Sequence, residues 1–130
     1  MKSILIAVVC ASSLMAASPE VGNYMQQLQT EASEPFDAAR GEALFTAEQI
    51  GKKGTKIACT SCHGSDLTQK GKNVNTGKII DALSPGANPA RLTSLKEVKK
   101  WLRRNFKDVY NREGTAQEKG DVLTYIMQYR

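Results

Sequence analysis

The stretch Ile57-Ala58-Cys59-Thr60-Ser61-Cys62-His63-Gly64 decides how this chain is read. Two cysteines stand either side of Thr60-Ser61, and a histidine follows the second directly. C-x-x-C-H is the spacing of a c-type haem attachment site. Each thiol adds to one vinyl group of the porphyrin, and the spacing of the two thioethers places His63 beneath the iron. The rival readings of C-x-x-C lack partners. A zinc site needs two further Cys or His ligands, but His63 is the only histidine and the one other cysteine is Cys10. A thioredoxin-like dithiol needs a βαβ context, and no strand pattern competes with the helical one. The sequence therefore predicts one haem c, covalent through Cys59 and Cys62.

Upstream, Lys2 is followed by the apolar run Ile4 to Met15 and by Ala16-Ala17-Ser18. This is the layout of a secretory signal, and the run is too short for an ordinary membrane span. The expected division is a signal peptide at 1–18, an N-terminal helical extension at 19–35 and a cytochrome c domain at 36–130. Cys10 follows Val9 rather than a small residue, so it is expected to leave with the signal and not to carry a lipid. Cys59 and Cys62 then remain, both committed to haem. Export to the periplasm agrees with this, because c-type haem is joined outside the cytoplasm. The 130 residues suffice for one small domain, and only 6% are aromatic. A haem would supply the large apolar plate that the aromatics do not. The formal charge is +5, or +4 without Lys2. It favours acidic partners, and no nucleic-acid partner is expected.

Helix signals flank the motif on both sides. Ser18 caps and Pro19 suits the first helical position, with Val21, Tyr24, Met25 and Leu28 at helical spacing. A second helix is expected from about Asp37 to Gln49, with Ala38, Gly41, Leu44 and Phe45 on one face. Gly41 inside a helix costs roughly 1 kcal/mol against Ala, which makes sense where another helix crosses close to the backbone. Residues 64–93 read as a long loop wrapped around the haem edge, with Ile79, Ile80 and Leu83 as its apolar contacts. Ser94 and Glu97 form a capping box for a third helix. Leu95, Val98, Trp101, Leu102 and Asn105 follow on one stripe, with Lys96, Lys99, Lys100, Arg103 and Arg104 opposite. Asn105 is expected near that helix's C-terminal end. Thr115 and Glu118 form a second capping box, and Val122, Tyr125, Ile126 and Tyr129 give the last helix a buried face that Gly41 and Phe45 can receive. The fold class is all-α, about four to five helices around one covalently attached haem, and the arrangement resembles the class I cytochrome c fold.

The sixth ligand is the open question. The methionines are Met1, Met15, Met25 and Met127, so none lies between Gly64 and Ile126, where an ordinary class I cytochrome carries its ligand. A lysine, an asparagine, water or an open position remain. A lysine must first lose its proton against a reference pKa of about 10.4. Asparagine binds while neutral, and Asn105 is the best placed. Lys78 and Arg91 are candidate partners for the haem propionates, Trp101 is a candidate haem contact, and Pro85 or its neighbours could accept a hydrogen bond from His63.

"NPARLTSLKEVKKWLRRNFKDVYNREGTAQEKGDVL" (88–123) resembles the corresponding part of the sphaeroides haem protein family, as do "ARGEALF" (39–45), "CTSCHG" (59–64) and "TGKIIDALSP" (76–85). The resemblance covers roughly residues 36 to 127. It implies a high-spin class I-type cytochrome c whose iron is held by a His and by an Asn that swings away when a small ligand binds. His63 would be the proximal ligand and Asn105 the distal one. It further implies O2, NO or CO as haem ligands, with a dihaem cytochrome c and a membrane cytochrome b as electron donors. The basic face from Lys96 to Lys107 could meet such a donor. The family commonly carries a disulfide where this chain has Phe106 and Gly114, so the loop after Asn105 lacks a staple unless Phe106 replaces it by packing. Other readings are a plain low-spin electron-transfer cytochrome, or a reductase of NO, nitrite or peroxide. A haem electron-transfer or gas-binding protein is favoured over an enzyme.

Overall fold

Each long helix begins at a residue suited to capping its free N–H groups. The computed structural model describes residues 17–129. The expected leader, with Cys10 and its apolar run, lies outside the described residues apart from Ala17 and Ser18. Helix α1 spans Pro19–Glu31, and the Ser18 side chain accepts from the Val21 N–H. Helix α2 spans Ala38–Thr46 under an Asp37 cap, ending earlier than the sequence suggested. The short α3, Thr60–His63, carries the end of the C-x-x-C-H motif. Helix α4 spans Leu95–Tyr110, and α5 spans Ala116–Gln128 behind the full Thr115–Glu118 capping box. Before α4, only half of the expected box forms. Ser94 accepts from the Glu97 N–H, while the Glu97 carboxylate turns to the Trp101 indole N–H at 3.0 Å instead.

The expectation of no strands is corrected in detail. Strands β1 (Gln49–Ile50) and β2 (Lys56–Ile57) pair antiparallel, with Ile50 opposite Lys56, and β3 (Gly71–Lys72) pairs with β4 (Ile79–Ile80), with Lys72 opposite Ile79. At two residues each, they are too short to show an alternating pattern in the sequence. The class remains mainly helical, with five helices among the described residues.

The core forms where α2 crosses α5. A Cβ on Gly41 would overlap the Asp121 carbonyl and lie 2.8 Å from the Tyr125 Cβ, so only glycine lets the two backbones meet. Phe45, one turn on, stacks tilted on Tyr125 at 5.6 Å. The crossing is fastened by Asp121, whose side chain is 2% exposed. Its carboxylate accepts from the Asp37 N–H (2.9 Å), from Arg40 Nε (3.0 Å) and Nη2 (3.2 Å) and from Gln117 Nε2 (3.2 Å). Burial alone pushes this carboxyl's pKa up, but the bonds from Arg40, the Asp37 N–H and Gln117 outweigh it and hold the pKa below the usual carboxylate range. Helix α1 joins the same core through Val21 and Leu28, and the Ser18 N–H donates to the Leu92 carbonyl at 3.0 Å.

Two outcomes follow from this crossing. Gly41→Ala should destabilise the protein by about 1–3 kcal/mol or more, as overpacking against rigid backbone does, read as a lower urea midpoint. A carboxyl with a depressed folded pKa contributes stability that is complete above its unfolded pKa of about 4 and lost as pH falls through the folded value. Urea midpoints should therefore fall with acid from about pH 5 downward, and less steeply in Asp121→Asn. Equal acid slopes for the two proteins would remove Asp121 from that role.

Candidate functional site

Helices α2 to α5 and the loop before α4 enclose a cavity of about 310 Å3. Leu44 and Phe45 come from α2, and Val122, Leu123 and Ile126 from α5. Val98, Trp101, Leu102, Asn105 and Phe106 come from α4, and Leu83 and Leu92 from the loop. These walls are largely apolar, with Asp81, Asn88, Arg91, Ser94 and Glu97 among them, and the motif adds Cys59 and His63.

The local chain sets both groups. The tight α3 turn is closed by the His63 N–H on the Cys59 carbonyl (3.1 Å) and the Gly64 N–H on the Thr60 carbonyl (2.8 Å). The His63 ring packs on Phe45, with centroids 5.8 Å apart. Burial first, and then the positive charge of Arg91, lower the His63 pKa to about 4. Above that pH its imidazole is neutral and has a lone pair to offer a metal. Burial pushes the Cys59 thiol up to about 11, so it stays protonated. Cys62 does not line the cavity. Its Sγ accepts from the Val74 N–H at 3.5 Å. Cys59 and Cys62 are not joined to each other in a disulfide.

The donor set fits a haem. A bare metal ion would need three or four converging ligands, and no such group of His, Cys, Asp and Glu exists among the described residues. The His63 imidazole and the Asn105 amide in a largely apolar wall, with the Cys59 thiol beside them and Cys62 following in the same short turn, suit an iron already held by four porphyrin nitrogens. The other amide of the wall, Asn88, donates to the Ala82 carbonyl and accepts from the Ala90 N–H, each at 3.3 Å.

Asn105 is half-buried in the α4 wall of this cavity. It is not at the helix end, as the sequence suggested. The helix continues to Tyr110, and Asn111 in the left-handed conformation (φ 55) terminates it. Asn105 is thus free of a capping role, and no hydrogen bond among the described residues takes up its amide. Neither Met25 nor Met127 lines the cavity; both pack beside the core.

The other candidates separate. Trp101 lines the cavity and is 41% exposed, so it stands at the mouth rather than deep on the stripe. Lys78 is not brought to the cavity: it sits exposed on the turn of the β3–β4 hairpin, its carbonyl taken by the Asn73 N–H at 2.8 Å. Pro85 is not in the wall either. Arg91 is, with Nε on the Ala82 carbonyl (2.9 Å) and Nη2 on the Asp81 carbonyl (2.7 Å). Sequence reasoning had no means to prefer Arg91 over Lys78. It also missed Tyr110, which lines the cavity and ties α4 to α2 through its hydroxyl on the Leu44 carbonyl at 2.6 Å, and Leu92, held buried at φ 60.

A family model described as a domain of unknown function (DUF1924) matches residues 31–126. Cytochrome c-type protein SHP of Cereibacter sphaeroides is 37% identical over 123 residues, 95% of each chain. Cytochrome c'' of Methylophilus methylotrophus is 29% identical over 87 residues, 67% of this chain and 60% of its own length. The structure of oxidised SHP, described as an oxygen-binding cytochrome c, superposes with a TM-score of 0.75 at 40% identity, covering 85% of this chain and 96% of that one. Oxidised cytochrome c'' gives a TM-score of 0.75 at 24% identity, covering 90% and 97%, and that likeness speaks for the fold.

At the corner between α4 and α5, Phe106 and Gly114 pack together where the sequence comparison placed a missing disulfide. A Cβ on Gly114 would come within 2.9 Å of three atoms of the Phe106 ring. The ring therefore lies flat over the glycine and against Tyr110, 5.5 Å away. Gly114→Ala should cost about 1–3 kcal/mol by crowding that ring. In a Phe106→Ala background the same change should be nearly neutral, giving a coupling of at least about 0.5 kcal/mol in a double-mutant cycle of urea stabilities. Additive effects would show that the pair does not act as a unit.

Proposed function

The chain belongs to the DUF1924 family as an SHP-like, monohaem c-type cytochrome, and from that premise we propose that it is a redox-gated binder of diatomic gases. Cys59 and Cys62 would hold haem c covalently, and His63 and, in the ferric protein, Asn105 would supply its two protein ligands to iron. The observation that carries this reading is that the chain's only histidine and Asn105 line one largely apolar cavity, which among the described residues neither Met25 nor Met127 lines. SHP is described as oxygen-binding, and the proposal brings that property to this chain.

When bound, the haem supplies a one-electron redox iron whose ferrous form takes up O2, NO or CO. His63 enters as a neutral imidazole, already oriented by Phe45 and the α3 turn. Asn105 offers a neutral amide oxygen, a harder donor than thioether sulfur, so it favours the ferric state and lets go on reduction. The reduction potential is therefore lower than with methionine in that place. Arg91, anchored on two loop carbonyls, supplies a positive charge for the propionates. Electrons come from partner cytochromes, a dihaem cytochrome c and a membrane cytochrome b. The protein works in the periplasm after loss of its signal peptide, expected at 1–18 and here ended at Ala17 because Ser18 caps α1 and bonds Leu92, with residues 19–35 as a helical extension of the cytochrome domain at 36–130. Gas binding and electron transfer are favoured over turnover of NO, nitrite or peroxide.

Absorption spectra of ferric and ferrous protein, with and without CO and NO, test this directly. Ferrous wild type should bind CO. Asn105→Ala should open the ferric site and raise its affinity for NO tenfold or more, as removal of an internal competitor worth about 1.4 kcal/mol does. Asn105→Met should yield a low-spin ferrous protein of higher potential that resists CO. A ferrous wild type that stays low-spin and ignores CO, or an Asn105→Ala protein with unchanged ferric spectrum and NO binding, would sink the assignment.

A further inference from the structure

The β1–β2 and β3–β4 hairpins flank the outer side of Cys62, and this face has features that the haem cavity does not use. The β3 strand lies directly on α3, so that a Cβ on Gly71 would overlap the Cys62 carbonyl. The β3–β4 hairpin also reaches the second thiol, with the Val74 N–H on the Cys62 Sγ at 3.5 Å. Beside it opens a surface cleft of about 350 Å3, with Ser61 and Val74 against Lys52, Lys53 and Lys56. Lys53 Nζ bonds the Asn75 Oδ1 at 2.9 Å and ties the two hairpins together.

Charge on this face is one-sided. From Ile50 to Ile80 the chain carries Lys52, Lys53, Lys56, Lys70, Lys72 and Lys78 against a single acid, Asp66. Among the described residues only Lys70 of these six is within ion-pair reach of a carboxylate, Asp81 at 3.9 Å. Asp108 is the one carboxylate lining the cleft. The same two hairpins also hold three of the four most exposed large apolar side chains, Ile50 (61%), Val74 (57%) and Ile79 (65%). Exposed apolar residues on hairpins whose lysines, Lys70 apart, have no carboxylate partner among the described residues suit a small, fast-exchanging interface whose encounters are steered by charge. The basic face of α4 is different, because much of its charge is engaged within the molecule. Lys99 lies over the Tyr24 ring at 4.9 Å, Lys100 reaches Glu97 and the Trp101 ring, and Arg104 lies over Trp101 at 5.5 Å.

We propose that the hairpin face, and not α4, is the docking surface for an acidic electron-transfer protein, which delivers electrons across the Cys62 edge. This rests on the reading of the chain as a redox haem protein. One electron leaves the partner's reduced centre and one arrives at the ferric iron; no bond is made or broken in the partner. The mouth at Trp101 and Asn105 is then left free for gas, so that electrons and ligand enter by different faces.

The test uses holoprotein and an acidic flavodoxin as probe, reduced for stopped-flow kinetics and oxidised for mapping by amide chemical shifts. The triple variant Lys52→Glu, Lys53→Glu, Lys56→Glu is compared with Lys99→Glu, Arg103→Glu, Arg104→Glu, after circular dichroism has shown both folded. At low ionic strength the first should be reduced roughly tenfold or more slowly than wild type, and the difference should shrink as salt rises. The second should stay within about twofold. Shifts caused by oxidised flavodoxin should cluster in residues 50–57 and 71–80, and Val74→Asp should diminish them. Loss of rate in the α4 variant alone, shifts centred on α4, or equal rates in all three proteins would overturn the proposal. Failure of the parent reading shows separately, as wild-type protein that holds no covalent haem.

Discussion

The contact on which the rest of the structure depends is the crossing of α2 and α5 at Gly41 and Asp121. Leu44 and Phe45 on one side, and Val122, Leu123 and Ile126 on the other, are cavity walls because that crossing holds the helices at backbone contact. Phe45 carries the geometry further, since its ring touches both Tyr125 and His63. The bolt is ionic rather than apolar. A buried carboxylate is expensive unless its lone pairs are filled, and here two side chains and one backbone N–H fill them. Arg40 also reaches Glu34 at 3.2 Å, so the bolt extends to the chain just before α2. An apolar pair of the same volume could hold two helices together but would not fix their register, and register is what aims Phe45 at His63.

How much of this could be read from the sequence follows from the range of each interaction. Caps are local, and Ser18, Ser94 and Thr115 were found because their partners lie three residues away. The crossing was legible because a glycine in a helix marks a close approach, and Gly41 does meet α5. Asp121 was invisible. An acid beside Val122 looks like a surface residue until Arg40 and Asp37, some eighty positions away, are brought to it. The hairpins escaped because two residues cannot display a period. The half-formed box at Ser94 shows local competition: Glu97 has both the Ser94 N–H and the Trp101 indole within reach and takes the indole. Within the site, C-x-x-C-H is a local signal, whereas the choice of Arg91 over Lys78 depends on how the 64–93 loop folds back.

The two sides of the cavity are built differently. His63 lies in a four-residue helix pinned by Phe45 above and by β3 at Gly71 behind. Asn105 stands in the middle of a sixteen-residue helix, one turn from the exposed Trp101, with no hydrogen bond among the described residues to hold its amide. If the two are the iron ligands proposed above, the first environment suits one that stays and the second one that leaves. The α4 backbone itself is not loose. Phe106 lies on Gly114, Tyr110 is bonded to Leu44, and the Lys52 N–H reaches the Asp108 carbonyl at 3.0 Å. Packing from three directions holds the helix downstream of Asn105 in place without a cross-link. In the proposed reading, motion at the distal position would then be confined to the Asn105 side chain. A single side-chain rotation moves far less mass than a shifting helix, and it leaves the apolar walls that exclude water undisturbed. The glycine at 114 belongs to the same packing: a larger residue would lift the Phe106 ring, one residue after Asn105 on α4.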